Sequence, residues 1–472
     1  MPYPKKPVAQ TTQVGTGIII AGLCVAYTNI STSLTPSQMA NQVAIAVGIA
    51  LALSIWFDSK KGLQNLFRVD IICLVSLYYL TLVEFLLPQN SFNTVLTAEQ
   101  AAHGLYVILI GIGSMALGRH FNFLKPEPKL WSYLGNLPDK ILFRLFIISA
   151  LLGYLYILMS VDFNVFKIYD AWLGPRFAVP WARGRLGDWR ALLSELKLFS
   201  YVIPPLAGII WNRRQSFQSW QIFLVMVIFA ITLFDGFAGG TRNVLGSYFA
   251  AFLGGYFLTL KRPNLFNLAI PSAVVGYAMM FATRHMLGFR NMGILRYLET
   301  GAYATQKVQE NFAVDYNLGA IGIIVDAFPQ KYNFLGFELL YVFASKPIPR
   351  ALWPGKPEGL SISIEEVTGA AGWTVSTTYI GEAYMMGGVI AVILMSLSIG
   401  MLASWWTRTA AFYNTGYGVV INALGFFTGA LAMRSIAFFT TSILPILALI
   451  FFAKFMPSFL DINKSQSQYP YR

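Results

Sequence analysis

Long apolar windows alternate with short polar breaks along most of the chain, at about residues 14–30, 42–57, 70–87, 101–118, 141–160, 196–211, 219–237, 243–260, 266–283, 387–405, 416–433 and 436–456. A helix needs about 20 apolar residues to cross a bilayer and pairs its own backbone while doing so, so these windows predict an all-α polytopic membrane protein with about 12 transmembrane helices. Two polar stretches interrupt the rhythm, a shorter one at 161–195 and a longer one at 284–386. Inside the longer one, Leu318 to Phe328 and Phe334 to Ala344 are apolar runs too short to span, suited to lie on the membrane or re-enter it. Phe163 to Leu173 in the shorter one has the same amphipathic pattern. Both loops are therefore expected to pack on the bundle over one cavity opening outward. The organisation that follows is helices 1 to 9 in residues 1–283, a long extracytoplasmic cap in 284–386, helices 10 to 12 in 387–460, and a polar cytoplasmic tail at 461–472.

Composition removes the soluble alternatives. Of 472 residues, 56% are hydrophobic and 12% charged, and the mean hydropathy is +0.58, too apolar for a water-soluble globule. Cys24 and Cys73 both fall in apolar windows, which excludes a disulfide framework and a Cys-x-x-Cys metal or redox site. Lys5-Lys6 before Val14 to Tyr27 resembles a signal peptide but lacks a small-x-small cleavage site, so the segment is expected to stay as the first helix. With the N-terminus inside, Lys5, Lys6, Lys60, Lys61, Arg68, Arg119, Lys125, Lys129, Lys140, Arg213, Arg214, Lys261, Arg262, Arg408, Lys464 and Arg472 all fall on one side. That is the asymmetry expected of cytoplasmic loops, and it makes both termini cytoplasmic. Segments 31–41 and 88–100, on the other side, contain no lysine or arginine. The net charge of +13 follows from this asymmetry plus the outer loops, so it does not call for nucleic acid.

The outer loops break the rule. Residues 161–195 carry Lys167, Arg176, Arg183, Arg185 and Arg190, and 284–386 carry Arg284, Arg290, Arg296 and Arg350 with Lys307, Lys331, Lys346 and Lys356. Solvated charges of this kind would only balance nearby carboxylates. Arginine close to a membrane favours another use, because its planar fork binds phosphate oxygens in pairs and stays charged when partly buried. The run from Lys346 to Pro357 concentrates the signal, with four prolines and three cations in 12 residues. Each proline pushes the preceding residue toward extended geometry, so the run is expected to be a stiff, non-helical ribbon. In polyproline II geometry Arg350, Trp353 and Lys356 would share one edge. Arg242, in Gly239-Gly240-Thr241-Arg242-Asn243, sits at the outer edge between the seventh and eighth windows, where a charge faces a polar cavity or a bound anion, or else snorkels from a tight turn.

Among the acidic residues, Glu382 stands where the cap leads into the tenth window. Glu299, Asp315, Asp326, Glu338, Glu358, Glu365 and Glu366, with Glu84 and Asp235 approaching from within helices, mostly read as ion-pair partners or solvated charges. His285 beside Arg284 is the one histidine on the outer side, and a lone histidine is more often structural than catalytic. There is no Asp-x-Asp, paired histidine or thiolate cluster for a metal, and no phosphate-binding glycine loop or nucleophile elbow, so neither metal nor cofactor is expected.

The Ile-Pro-Arg-x-Leu-Trp-Pro-x-Lys-Pro run at Ile348 to Pro357, the Gly-x-Arg turn at Arg242 and the Gly-Glu-x-Tyr-x-x-x-Gly sequence at Gly381 to Gly388 resemble the bacterial oligosaccharide repeat-unit polymerases of the Wzy type. The resemblance implies a GT-C-like glycosyltransferase of the bacterial cytoplasmic (inner) membrane. It would join undecaprenyl-pyrophosphate-linked oligosaccharide repeat units into a surface polysaccharide at the outer face, within the lipid bilayer and alongside a flippase and a chain-length regulator. Such a donor needs cations at its pyrophosphate and a base for the acceptor hydroxyl. On that resemblance Arg242, Arg290, Arg296 and Arg350 are the expected phosphate ligands, and Glu382 first and His285 second the base. Trp353, Lys356 and Tyr379 are placed at the substrate, with Trp373 and Tyr384 as further stacking rings. Three rivals stand beside it: an O-antigen ligase, a lipid-linked oligosaccharide flippase, and a non-catalytic partner in polysaccharide export. The near absence of ionisable residues from the centres of the windows weighs against the flippase.

Overall fold

The computed structural model describes residues 12–121, 137–176, 179–181, 195–260, 264–301, 314–348, 352–369, 376–411 and 417–455. Helices occupy every apolar window, and no strand occurs among the described residues. In order they are α1 (Gln13–Thr28), α2 (Pro36–Ser59), α3 (Val69–Thr81), α4 (Ala98–Gly118), α5 (Asp139–Ser160), α6 (Val165–Leu173), α7 (Ile203–Asn212), α8 (Ser219–Ala238) and α9 (Arg242–Thr259). They continue as α10 (Leu265–Met292), α11 (Ile294–Glu299), α12 (Asn317–Ala327), α13 (Glu338–Ser345), α14 (Ile364–Thr368), α15 (Thr378–Ala411), α16 (Tyr417–Arg434), α17 (Ile436–Ser442) and α18 (Leu444–Phe455). Seven of these, α2, α4, α5, α8, α10, α15 and α16, are long and apolar enough to cross a membrane. Three of the twelve expected spans are divided pieces. The window at 70–87 is α3 plus a 3-10 turn at Val83–Leu86, the window at 196–211 is a 3-10 segment at Glu195–Val202 plus α7, and the last is α17 plus α18. Pro204 and Pro205 in the first turn of α7 explain one division, since proline starts a helix more readily than it continues one.

The molecule is organised around α16. Every residue from Tyr417 to Met433 is buried, as expected of a helix that is apolar all round. It packs on α3, α9, α15 and α17. One apolar core lies among α1 to α4, α12 and the start of α15, and a second among α5, α7, α8 and α18. The α12 run, expected on the membrane surface or re-entrant, is inserted into the bundle with Asn317 to Gly322 buried. Small residues permit this: a Cβ on Gly104 of α4 would lie 3.2 Å from the Gly322 Cα of α12. The two outer loops also touch, because Gly293, at φ +89, packs its backbone on Leu173 and Gly174.

Two features position the polar groups. First, α15 is broken: Gly387 and Gly388 leave helical geometry, and Gly388 takes φ +65, a conformation that suits glycine. The carbonyls of Met385 and Met386 accept from Leu335 and Gly336 N–H, each at 2.9 Å, so the break leaves neither carbonyl orphaned. Second, Arg68 and Arg119, counted from the sequence among the cytoplasmic-side cations, are only 1% and 2% exposed. Arg68 pairs with Asp58 at 3.0 Å and with Asp70, and Arg119 pairs with Asp70 at 3.3 Å. Thr12 donates to Asp58, and Arg119 donates to Thr16 at 2.6 Å. Val69 N–H donates to Thr407 at 3.0 Å, so α1, α2, α3, α4 and α15 are clasped together at this end. Buried charges persist only when paired and hydrogen-bonded, which this network provides.

The α4–α12 contact yields a direct test. Ala at Gly322 would place a Cβ 2.7 Å from Leu96 Cδ1 and 2.9 Å from the Gln100 carbonyl oxygen. We expect Gly322→Ala to cost about 1–3 kcal/mol, read as a lower melting temperature in detergent micelles. Gly276→Ala, where the added Cβ meets nothing within 4 Å, is the control that leaves the melting temperature unchanged or raises it.

Candidate functional site

At the opposite end of the bundle from the Arg68 network, the C-terminus of α3, the N-termini of α9, α12 and α17, and the C-terminus of α16 converge. Arg242 is the first residue of α9, delivered there by the Gly239-Gly240 turn that ends α8. Its side chain is 4% exposed, yet neither Nη1 nor Nη2 has a hydrogen-bond partner among the described residues. Asp315, Tyr79, Glu84 and Arg434 all act on its charge. Glu84, fully buried just beyond α3, accepts through Oε2 from the N–H groups of Val314 at 2.6 Å and Tyr316 at 3.4 Å, while Oε1 has no partner. Asn317 donates to the Leu80 carbonyl at 2.7 Å, and its Oδ1 has no partner either. The Tyr79 hydroxyl bonds to Thr283 Oγ1 of α10 at 2.8 Å, and Arg434 pairs with Asp315 at 3.7 Å. Tyr316 takes the left-handed conformation that turns the chain into α12. Burial pushes its phenol up, so it stays protonated and donates to Gln89 Oε1 at 3.3 Å.

Buried polar atoms are nearly always paired, and leaving one unpaired costs about 1–3 kcal/mol. Here two donor atoms on Arg242 and acceptor atoms on Glu84 and Asn317 lie unpaired in one charged cluster. The arrangement can accept a ligand that brings anionic oxygens to the guanidinium and hydroxyl groups to the carboxylate and amide.

The residues singled out in the sequence fare differently. Glu382 is buried on the first half of α15, and both its oxygens are occupied: Ser435 Oγ donates to Oε1, and Ile436 N–H donates to Oε2 at 2.7 Å. It caps the N-terminus of α17, so both its oxygens are already held by the protein's own donors. His285 is half-buried, with Nδ1 3.2 Å from the Tyr297 hydroxyl and its ring 4.6 Å from that of Phe281. Thr283, two residues earlier on α10, is the one that meets Tyr79, and positions two apart on a helix face different ways. Arg296 is exposed on α11, and among the described residues no ion pair joins it to Arg242's neighbours. Arg290 lies in the last turn of α10 with its side chain outside the described residues, and Arg350 and Trp373 lie outside them altogether.

The described parts of the proline run, 346–348 and 352–357, are non-helical, but they are not polyproline II. Lys356 N–H donates to the Trp353 carbonyl at 3.1 Å, a turn that polyproline II cannot contain. Lys356 Nζ reaches back to the carbonyls of Lys346 and Ile348, each at 2.9 Å, so two of its three donors brace the run's own backbone. Trp353 is half-buried and packs edge-on to Tyr341, with ring centroids 6.1 Å apart. Tyr379 is fully buried in the core with its hydroxyl 2.9 Å from Ser396 Oγ, so it cannot stack on a sugar.

Arg434 escaped sequence reasoning. Its signal was a cation in the two-residue break between the windows ending at 433 and starting at 436, on the outer side. Glu84 reads in the sequence as an ion-pair partner or a solvated charge. Residues 317–460 match a family described as "Domain of unknown function (DUF8712)". The match includes Asn317, Glu382 and Arg434 and leaves Arg242 and Glu84 outside it. No solved structure matches the chain.

The capping role of Glu382 is open to measurement. Glu382→Ala removes two acceptor contacts and should cost about 1–3 kcal/mol in thermal unfolding, whereas Glu382→Gln keeps one carbonyl oxygen for Ile436 N–H and should cost less. Equal melting temperatures for wild type and Glu382→Ala would remove the cap from the argument.

Proposed function

We propose that the chain is a glycosyltransferase that joins polyprenyl-pyrophosphate-linked oligosaccharide repeat units into a surface polysaccharide at the outer face of the bacterial cytoplasmic membrane. In this reading the twelve helical windows form the membrane domain, both termini are cytoplasmic, and the Arg242 end of the bundle faces outward. The observation that carries it is the Arg242 guanidinium, buried at a helix N-terminus with both terminal nitrogens unpartnered. A planar fork of this kind suits two phosphate oxygens, and the positive end of α9 adds to the attraction. Arg434 supplies a second cation, whose partner Asp315 can be exchanged for a phosphate.

The chemistry asked of these groups is modest. Pyrophosphate leaves with the electron pair of the bond to the anomeric carbon, so the protein has mainly to hold that growing negative charge and bring an acceptor hydroxyl in line. Burial strengthens the hold, because a charge pair interacts several times more strongly away from bulk water. The sequence resemblance at Arg242, at Gly381 to Gly388 and at the proline run supports the same assignment.

Purified protein reconstituted with an undecaprenyl-pyrophosphate-linked repeat unit should give a ladder of polymer lengths on a gel. Arg242→Lys and Arg434→Lys should each lower the initial rate by about 10²–10³-fold, the usual effect of losing one preorganised charge-stabilising donor. Wild-type rates from both variants would defeat the proposal. Transfer to a lipid A core in place of a growing repeat would make the protein a ligase.

A further inference from the structure

The Arg242 cluster accounts for the leaving group and leaves open where the acceptor's proton goes. Glu382, Asp315, Asp235 and Glu84 are the acidic side chains at this end nearest the helix termini that converge there. Glu382 has both oxygens engaged by Ser435 and Ile436. Asp315 is 20% exposed and faces Arg434 at 3.7 Å, too long for a hydrogen bond that would orient its carboxylate. Asp235 accepts from Trp172 Nε1 at 2.9 Å and pairs with Lys197 at 3.5 Å. Glu84 differs from all three. One oxygen is fixed by the Val314 and Tyr316 N–H groups, which orients the carboxylate, the other is buried without a partner, and the side chain feels the Arg242 charge. No ion pair forms between Glu84 and Arg242, so both keep their valences for a ligand.

Resting on the polymerase reading, we propose that Glu84 is the catalytic base, with its free Oε1 taking the proton of the acceptor sugar hydroxyl and Asn317 Oδ1 holding the same sugar. The step balances. The acceptor oxygen forms the new bond to the anomeric carbon of the donor as its proton passes to Glu84, and the carbon–oxygen bond to pyrophosphate breaks with its electrons staying on the pyrophosphate. Glu84 then returns its proton to the departing polyprenyl pyrophosphate or to water, and no oxidant, metal or further reactant is needed. A base held through one oxygen and free at the other is the geometry such a transfer requires.

Glu84→Gln keeps a carbonyl oxygen for Val314 N–H but cannot take a proton. In the reconstituted full-length protein it should lower polymerisation by about 10²–10⁴-fold, while labelled undecaprenyl pyrophosphate is retained as by wild type. Glu84→Ala should regain part of the lost rate when formate is added, since a free carboxylate can enter the vacated space and accept the proton. Near-wild-type turnover by Glu84→Gln overturns the assignment. So does joint loss of donor retention, melting temperature and turnover without formate rescue, which would make Glu84 a structural anchor only. A wild-type protein that neither retains undecaprenyl pyrophosphate nor builds polymer would instead strike the polymerase reading itself, and the assignment with it.

Discussion

The break in α15 is the constraint from which the candidate site follows. A helix interrupted inside an apolar bundle exposes carbonyls that no water can satisfy, and each must find a donor in the protein. Met385 and Met386 find theirs in Leu335 and Gly336, which pins the chain leading into α13. The half-helix left before the break carries Glu382, whose carboxylate caps α17 and fixes the bend at Arg434 and Ser435. Arg434 in turn holds Asp315, and the neighbouring Val314 and Tyr316 N–H groups hold Glu84. A single glycine conformation at Gly388 is thus linked, contact by contact, to the orientation of a carboxylate about 300 residues away in sequence.

The two ends of the bundle use buried charge in opposite ways. At one end Arg68 and Arg119 face Asp58 and Asp70 in ion pairs, and the threonines fill further valences. A closed network of this kind serves cohesion: removing one member would strand the others in a medium that cannot solvate them. At the other end Arg242 stands close to carboxylates without engaging them. An open arrangement lowers stability by comparison with a closed one, and such local losses concentrate where a ligand completes the set.

Much of the architecture was legible in the sequence because a bilayer simplifies the code. Apolar windows located the helices, since only internally paired backbone survives there, although α10 runs on to Met292 and α15 starts at Thr378, well beyond their windows. The finer divisions were not legible. The break at Gly387 and Gly388 falls on the first residues of the window at 387–405, and a Gly-Gly pair in a membrane helix signals close packing as readily as a kink. The site was half-legible. Arg242 was visible as a charge at an expensive depth, whereas Glu84 and Arg434 became informative only through what they touch, and what they fail to touch, in three dimensions. Glu382 misled for a physical reason: a carboxylate at a helix junction is equally suited to capping backbone N–H groups and to chemistry, and sequence cannot say which valences are already filled.

The proline run shows the same distinction between a residue that draws notice and one that acts on charge. Its cations and prolines made it the most conspicuous segment of the chain, and the Lys356 ammonium satisfies the backbone carbonyls of Lys346 and Ile348. The run is thereby a braced cover, attached through Trp353 and Tyr341 to α13, whose N-terminal approach is the segment pinned at the α15 break. Exposed cations on such a cover, like that of Arg296 on α11, are screened by water and contribute little to a developing charge. The guanidinium of Arg242 is shielded from that screening. Burial with open valences, more than a count of nearby positive residues, is what singles it out as the centre of the site.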